Sequence, residues 1–370
     1  VFNLRDTIGR AALAGLAVTL PLGALAGATA ARAEIDDLID SVADAASVPL
    51  TVAGDGFGQP TIDLSIGGGE AISVALDTGS RGLVVSIWDV PWQDILNELQ
   101  HFSFDDINFG AFPAGFTVGL DIPTSVDFGN GIVAEHTIVN GLLFSFPFSA
   151  IDAQAQAGAP VDGILGIGPN AGGSHLVTAD LPGELGQGVL IDEPGGRLVF
   201  GAQPDTVDGM SPITTIQGAP FPGAPRDLDP IKIQFGDGPL VETGAVFDSG
   251  GKGGWVTSDA FMDYLLAENP PPDPDVFRLL EQFEIGFVPG GLPVSVYAPD
   301  GTLLYSYVTQ DSAMTVMPNW LMKMLVNIDG VVNTGNAAFL HNPVYISNTD
   351  GGAMTFYGAT PNPGANTVEL

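Results

Sequence analysis

The sequence predicts an all-β protein built from two related lobes with a cleft between them, and two observations carry that reading. The first is texture. Short apolar runs such as ISVAL and RLVF are separated by turn residues, with 50 Gly and 29 Pro in 370 residues and only 14% charged side chains, a composition of strands and tight connections rather than of amphipathic helices. The second is internal repetition. VALDTGS ends at Ser80 and AVFDSGG ends at Gly251; each is an apolar strand running into Asp, a small hydroxyl residue and Gly. Each is followed later by another apolar strand ending in Gly, Gly163-Ile164-Leu165-Gly166 in the first half and Val331-Val332-Asn333-Thr334-Gly335 in the second. The offset from Gly79 to Gly166 nearly equals that from Gly250 to Gly335, the trace a duplicated lobe leaves behind.

Along the chain, Arg5 and Arg10 precede an apolar stretch from Ala11 to Ala28, after which Ala28-Thr29-Ala30 and Ala31-Arg32-Ala33 offer small-residue cleavage sites. Residues 1–33 are therefore expected to be a cleaved export signal, which implies a secreted or cell-envelope protein that is soluble after processing. Pro21 and the glycines interrupt the stretch, against a membrane anchor. Residues 34–50 form a short acidic extension in which Ile35, Leu38, Ile39 and Val42 recur at helical spacing. The N-terminal lobe is expected over 51–210, a Pro/Gly-rich inter-lobe connection over 211–226, the C-terminal lobe over 227–365 and a tail over 366–370. Within the second lobe, Ser258–Ala267 reads as a helix that leads into a proline-rich surface loop at Pro270–Pro274.

Composition also excludes. A net charge of −33 repels phosphate backbones and anionic lipid, so nucleic-acid and membrane-surface partners are not expected. No cysteine is present, which removes disulfides and thiolate chemistry. His101, His136, His175 and His341 are scattered, with no His-Glu-x-x-His, so neither a metal nor another cofactor is expected.

What remains is carboxylate chemistry. A carboxylate at a tight Gly turn is displayed at a strand end, and two such turns facing one another across a lobe interface bring Asp77 and Asp248 together. Like charges a few ångströms apart share one proton, so one member serves as base and the other as acid.

These elements, with Val161-Asp162-Gly163-Ile164-Leu165-Gly166-Ile167-Gly168, Arg197–Gly201 and the terminal GNAAFLHNPVYISNTDGGAMTFYG, resemble the pepsin-like aspartic proteases over most of residues 51–365. Within that group, DSGG in the second lobe, VDFGNG and PGELGQGVLIDEP are most similar to the actinobacterial, chiefly mycobacterial, proteases that process PE-domain proteins. An export signal is read where those proteins carry a PE domain, so cleavage of an own PE domain is not carried over. The resemblance implies a pepsin-like bilobal fold and an aspartic endopeptidase acting on a protein or peptide substrate, with Asp77 and Asp248 catalytic. A monomer is expected, both lobes lying in one chain. It further implies that the hydroxyls of Thr78 and Ser249 cross-brace the loops and that Ser80 bonds a catalytic carboxylate. Gly79, Gly250 and Gly251 complete the two motifs, Gly251 leaving the second lobe without the hydroxyl that Ser80 supplies to the first. All six tyrosines lie in the second half, so the flap expected over the cleft lacks the family's tyrosine; its hairpin is placed at Phe116–Phe128, with Gly119, Leu120 and Ile122 at the substrate.

Two alternatives accompany this reading. A non-catalytic member of the fold that binds peptide is compatible with the altered flap and Gly251. A chymotrypsin-like serine protease would use the Asp248-Ser249-Gly250-Gly251 motif with His136 as base, but Phe247 stands where that motif has Gly and the DTGS motif is left without a role.

Overall fold

A computed structural model describes residues 46–52, 58–112, 115–146, 161–217, 230–251, 254–257, 286–288, 290–310, 314–317, 331–349 and 351–358, all within one unit, Ala46–Leu370. The expected export signal, most of the acidic extension, the helix Ser258–Ala267, the proline cluster and the tail lie outside the described residues.

The first half runs β1 (Ser47–Pro49), β2 (Thr51–Val52), β3 (Pro60–Ile66), β4 (Ala71–Asp77), β5 (Arg81–Ser86), α1 (Trp92–His101), β6 (Ile107–Phe112), β7 (Gly115–Asp127), β8 (Val133–Phe146), β9 (Gly163–Ile167), β10 (Gly188–Asp192), β11 (Arg197–Phe200) and β12 (Ser211–Gln217). The second runs β13 (Ile231–Phe235), β14 (Val241–Val246), β15 (Trp255–Thr257), β16 (Gly286–Phe287), β17 (Pro293–Tyr297), β18 (Leu303–Val308), β19 (Thr315–Met317), β20 (Val331–Asn333), α2 (Ala337–His341), β21 (Val344–Ser347) and β22 (Ala353–Gly358).

The fold is all-β and bilobal. One eight-stranded sheet, β2-β3-β4-β9-β5-β8-β7-β6, is curled far enough for β3 to pair also with β7. A second, β16-β19-β15-β20-β14-β13-β17-β18, forms the other lobe. The duplication read from the sequence is a duplication of topology. In the first lobe β4 runs parallel to β9, β9 antiparallel to β5, and β5 parallel to β8. In the second, β14 runs parallel to β20, β20 antiparallel to β15, and β15 parallel to β19. Register carries the likeness to the site, since Asp77 lies opposite Gly166 and Val246 opposite Asn333.

A third sheet joins the halves. Its order, β1-β11-β10-β21-β22-β12, interleaves strands from both ends of the chain into a platform beneath the lobes. Each lobe seats an aromatic ring on it: Phe128 packs on Phe200 at 4.9 Å and Phe247 on Phe356 at 5.0 Å between centroids, burial worth about 1.5–3 kcal/mol per side chain. Two expected boundaries shift accordingly. Ser47–Pro49, placed in the loose extension, is platform strand β1, and Ser211–Gln217, placed in the connection, is platform strand β12 paired with β22. Their short apolar content is enough once a partner strand is supplied by the other half, a pairing that local pattern does not reveal.

Candidate active site

β4 carries its apolar run to Asp77, and Thr78-Gly79-Ser80 turns the chain into β5. β14 ends at Val246, and Phe247 leads into Asp248-Ser249-Gly250-Gly251. The two turns meet tip to tip. A Cβ added at Gly79 would stand 2.7 Å from Asp248 Oδ1, and one added at Gly250 would stand 2.5 Å from Asp77 Oδ1. Any side chain at either glycine would drive the turns apart, so the glycines are what allows the carboxyl groups to approach. The approach is close enough for Asp77 and Asp248 to share a hydrogen bond.

A reciprocal brace fixes this arrangement. The Thr78 N–H donates to Ser249 Oγ at 3.1 Å and the Ser249 N–H donates to Thr78 Oγ1 at 2.9 Å. Each hydroxyl then donates across the interface, Thr78 Oγ1 to the Phe247 carbonyl at 2.5 Å and Ser249 Oγ to the Leu76 carbonyl at 2.8 Å. Both residues are buried, so removing one hydroxyl strands partners in a low-dielectric site at about 1–3 kcal/mol each. Ser249 is thereby unsuited as a nucleophile: it is wholly buried and its proton is committed to Leu76, while His136 stands exposed on β8. The serine-protease alternative has no site here.

The carboxyl groups are held by different means. Asp77 Oδ1 accepts the Gly79 N–H at 2.7 Å and Oδ2 accepts the Ser80 hydroxyl at 2.5 Å. Asp248 accepts the Gly250 N–H, and the place of the missing hydroxyl at Gly251 is taken by Asn333 at the end of β20, whose Nδ2 donates to Asp248 Oδ2 at 2.6 Å. Asn333 Oδ1 is itself fixed by the Gly335 N–H at 2.7 Å. The second lobe lacks the hydroxyl, as its Gly251 implies, and an amide from a distant strand supplies a bond instead. Burial, then the neighbouring Asp77, hold the Asp248 carboxyl well above the usual carboxylate range, against the bonds from Asn333 and Gly250 that favour its ionised form.

Two further residues reach the second loop, and one of them ties it onward to Glu193. Gln59 Nε2 donates to the Gly250 carbonyl, the Asn336 N–H donates to the Gly251 carbonyl at 2.7 Å, and Asn336 Nδ2 joins Gly58 to Glu193. Asn336 and Glu193 fall within the quoted stretches GNAAFLHNPVYISNTDGGAMTFYG and PGELGQGVLIDEP, but nothing local in those stretches directs them to this loop.

The flap assignment is also corrected. Gly115–Asp127 is a single strand that pairs antiparallel with β6, from Ile107 opposite Leu120 to Phe112 opposite Gly115, so no hairpin turn falls within Gly119–Pro123. Gly119 sits in mid-strand opposite Asn108 and Leu142, and Leu120 and Ile122 are buried in the core. Gly119 and Pro123 resemble turn signals but serve other ends. A Cβ at Gly119 would strike the Asn140 side chain, which needs that space to donate to Asp121 Oδ1 at 2.8 Å. Pro123 falls where β6 has ended and β3 has not begun, an edge on which a missing N–H costs nothing. Asp121 also accepts from Ser174 Oγ at 3.0 Å, and Ser174 exchanges bonds with Arg81 directly after the Asp77 turn. The base of the hairpin is thus tied to the Asp77 loop.

Comparison with known proteins agrees with this geometry. The family model described as the PE-PGRS C-terminal aspartyl peptidase-like domain matches residues 46–356. PE cleavage protein A of Mycobacterium tuberculosis is 32% identical over 337 residues, covering 84% of this chain and 51% of the relative. The protein of the same name from Mycobacterium marinum is 39% identical over 199 residues, covering 48% of this chain and 34% of the relative. The chain spans about half the length of the curated relatives it matches.

Proposed function

This chain belongs to the PE-PGRS C-terminal aspartyl peptidase-like family, and we propose from that premise that it is an endopeptidase working through a water activated between Asp77 and Asp248. The observation that carries the reading is the pair of glycine turns, each facing the opposite carboxyl group and locked by the Thr78–Ser249 brace. We place the shared proton of the resting dyad on Asp248, whose carboxyl burial and then Asp77 hold well above the usual carboxylate range. Asp77 takes a proton from water as its oxygen bonds to the scissile carbonyl carbon, and Asp248 gives its proton to the carbonyl oxygen, which leaves a neutral gem-diol. Collapse breaks the C–N bond, the diol returning a proton to one aspartate while the departing nitrogen takes one from the other.

Two relatives carry the name PE cleavage protein A, and a polypeptide substrate of the cell envelope is the substrate class we assign. With the export signal read over residues 1–33, the site of action is secreted or at the envelope, and one chain supplies both aspartates without a partner. The test is digestion of a peptide library across acid to neutral pH by the parent, Asp77→Asn and Asp248→Asn, with and without a statine-type inhibitor. Cleavage by the parent alone, blocked by statine, is expected. A parent that binds peptide and cuts nothing would replace this reading with the non-catalytic one.

A further inference from the structure

Glu193 is a buried acid that the proposed chemistry does not use. It follows β10 in a turn closed by the Gly196 N–H on its own carbonyl at 3.0 Å, and 8% of its surface is exposed. Its Oε2 accepts from Asn336 Nδ2 at 3.1 Å, and the same Nδ2 donates to the Gly58 carbonyl at 2.9 Å. Asn336 precedes α2 in the N-cap position, yet its side chain makes no capping bond because it is committed to this knot. Its backbone N–H holds the Gly251 carbonyl at 2.7 Å, and next to Gly58, Gln59 holds the Gly250 carbonyl. The loop of Asp248 is therefore gripped through two consecutive carbonyls by one connected unit that ends on Glu193.

Two buried oxygens of the knot, Glu193 Oε1 and Asn336 Oδ1, have no hydrogen-bond partner among the described residues. A carboxylate would add only acceptors to a site already holding an idle one, whereas a carboxylic acid brings a donor. Burial, opposed only by the Asn336 bond, pushes the Glu193 carboxyl up to about 8. Of the charged groups on the elements packed around it, Asp192 and Arg197 of the platform are bound to each other at 2.7 Å, and Asp248 is taken by Asn333. The first turn of α2 brings no acidic residue.

We propose that Glu193, in its neutral form, is a positioning residue for Asp248, acting through Asn336 to lock the Gly250–Gly251 loop onto the platform. This rests on the endopeptidase reading for its kinetic consequence but not for its structural one. The sign follows from linkage: a carboxyl raised in the folded state from an ordinary 4.5 to about 8 contributes stability that is complete below about pH 4.5 and is lost as pH rises through about 8. Ionisation loosens the lock from the alkaline side.

The experiment compares the parent, Glu193→Gln and Glu193→Ala in three readouts: melting temperature from pH 5 to 9, hydrogen exchange of the 247–251 and 333–336 backbone, and peptide cleavage. Glu193→Gln, which keeps the shape and stays neutral, is expected to lose several degrees less than the parent between pH 5 and 9 and to keep kcat within about threefold. Glu193→Ala is expected to exchange faster in both segments at pH 6 and to lose about tenfold or more in kcat with KM little changed. Parallel loss of melting temperature by parent and Glu193→Gln, or unchanged exchange and kcat in Glu193→Ala, overturns the proposal. Should Glu193→Ala fail to fold, the melting comparison with Glu193→Gln still decides. A parent without cleavage at any pH defeats the endopeptidase reading alone, because melting and exchange continue to report on the lock.

Discussion

The two aspartate turns hold equivalent places in equivalent lobes, yet they fix their carboxyl groups from different distances along the chain. Asp77 is served by its own turn, through Gly79 and the hydroxyl of Ser80 three residues on. Asp248 has glycine at the matching position and is served by Asn333, 85 residues away. Around the second loop the pattern continues: Gln59, 191 residues from Gly250, and Asn336 both hold it from outside. One lobe keeps its acid by local sequence and the other by tertiary packing. A difference of this kind predicts where each half of the dyad is vulnerable.

The largest expected effect tests the dyad itself. Asp77→Asn and Asp248→Asn each remove a proton-transfer partner, and either is expected to lower kcat by about 10³-fold or more. Their stabilities should part company. Because the Asp248 carboxyl is raised in the folded state, its contribution is intact below its ordinary pKa and is lost as pH rises. Asp248→Asn removes that penalty, so its melting temperature is expected to gain on the parent steadily from pH 3 to 7. A flat difference would mean that Asp248 does not carry the proton.

Next comes the pair of supports. Ser80→Ala and Asn333→Ala each delete one bond to a carboxyl of the proposed dyad, and about a 10–100-fold loss of kcat is expected for both. Only Asn333→Ala should also move the alkaline limb of the pH–rate profile. The Asn333 bond favours the ionised form of Asp248, so its loss raises that carboxyl further and shifts the limb to higher pH. Equal profiles for the two variants would erase the distinction between local and remote support.

The brace, in contrast, is symmetric, and so should its failures be. Thr78→Ala and Ser249→Ala each strand two buried partners across the interface. Each is expected to cost about 2–4 kcal/mol in chemical unfolding while cleavage falls only severalfold. Abolition of activity by Ser249→Ala alone would reopen a nucleophilic role for that serine.

The same contrast explains what could be read from the chain before folding. The aspartates, the brace hydroxyls and the facing glycines sit within four residues of one another in each repeat, and repetition at lobe spacing announces them. Asn333 lay in plain sight as a polar residue closing the apolar run before Gly335, but nothing local says that its amide turns toward Asp248. Glu193 and Asn336 meet across 143 residues, and the platform assembles strands from both halves. Such pairings are set by packing, to which a local pattern is blind. The misplaced flap has the opposite cause: Gly119 and Pro123 carry strong turn signals, and each was overruled by its strand context.

The smallest and sharpest test transplants the local solution into the remote lobe. Gly251→Ser would recreate in the second turn the motif of the first, but the site is already occupied. A Cβ there would lie 3.2 Å from Asp248 Oδ2 and 3.4 Å from Gly335 Cα, tight contacts on the side of the carboxyl that Asn333 uses. Alone, the substitution is expected to cost about 1–2 kcal/mol by crowding and to lower kcat severalfold. Combined with Asn333→Ala it should do the reverse, since truncating the amide frees the carboxylate oxygen and gives the new hydroxyl something to bond. The double variant is then expected to recover a substantial part of the activity that Asn333→Ala loses, an interaction in the direction of rescue rather than addition. The four proteins of this cycle, measured by kcat at one acid pH and by urea unfolding, separate the possibilities. If the two losses simply add, the hydroxyl and the amide are not alternative supports for one oxygen, and the equivalence of the two turns ends at their backbone.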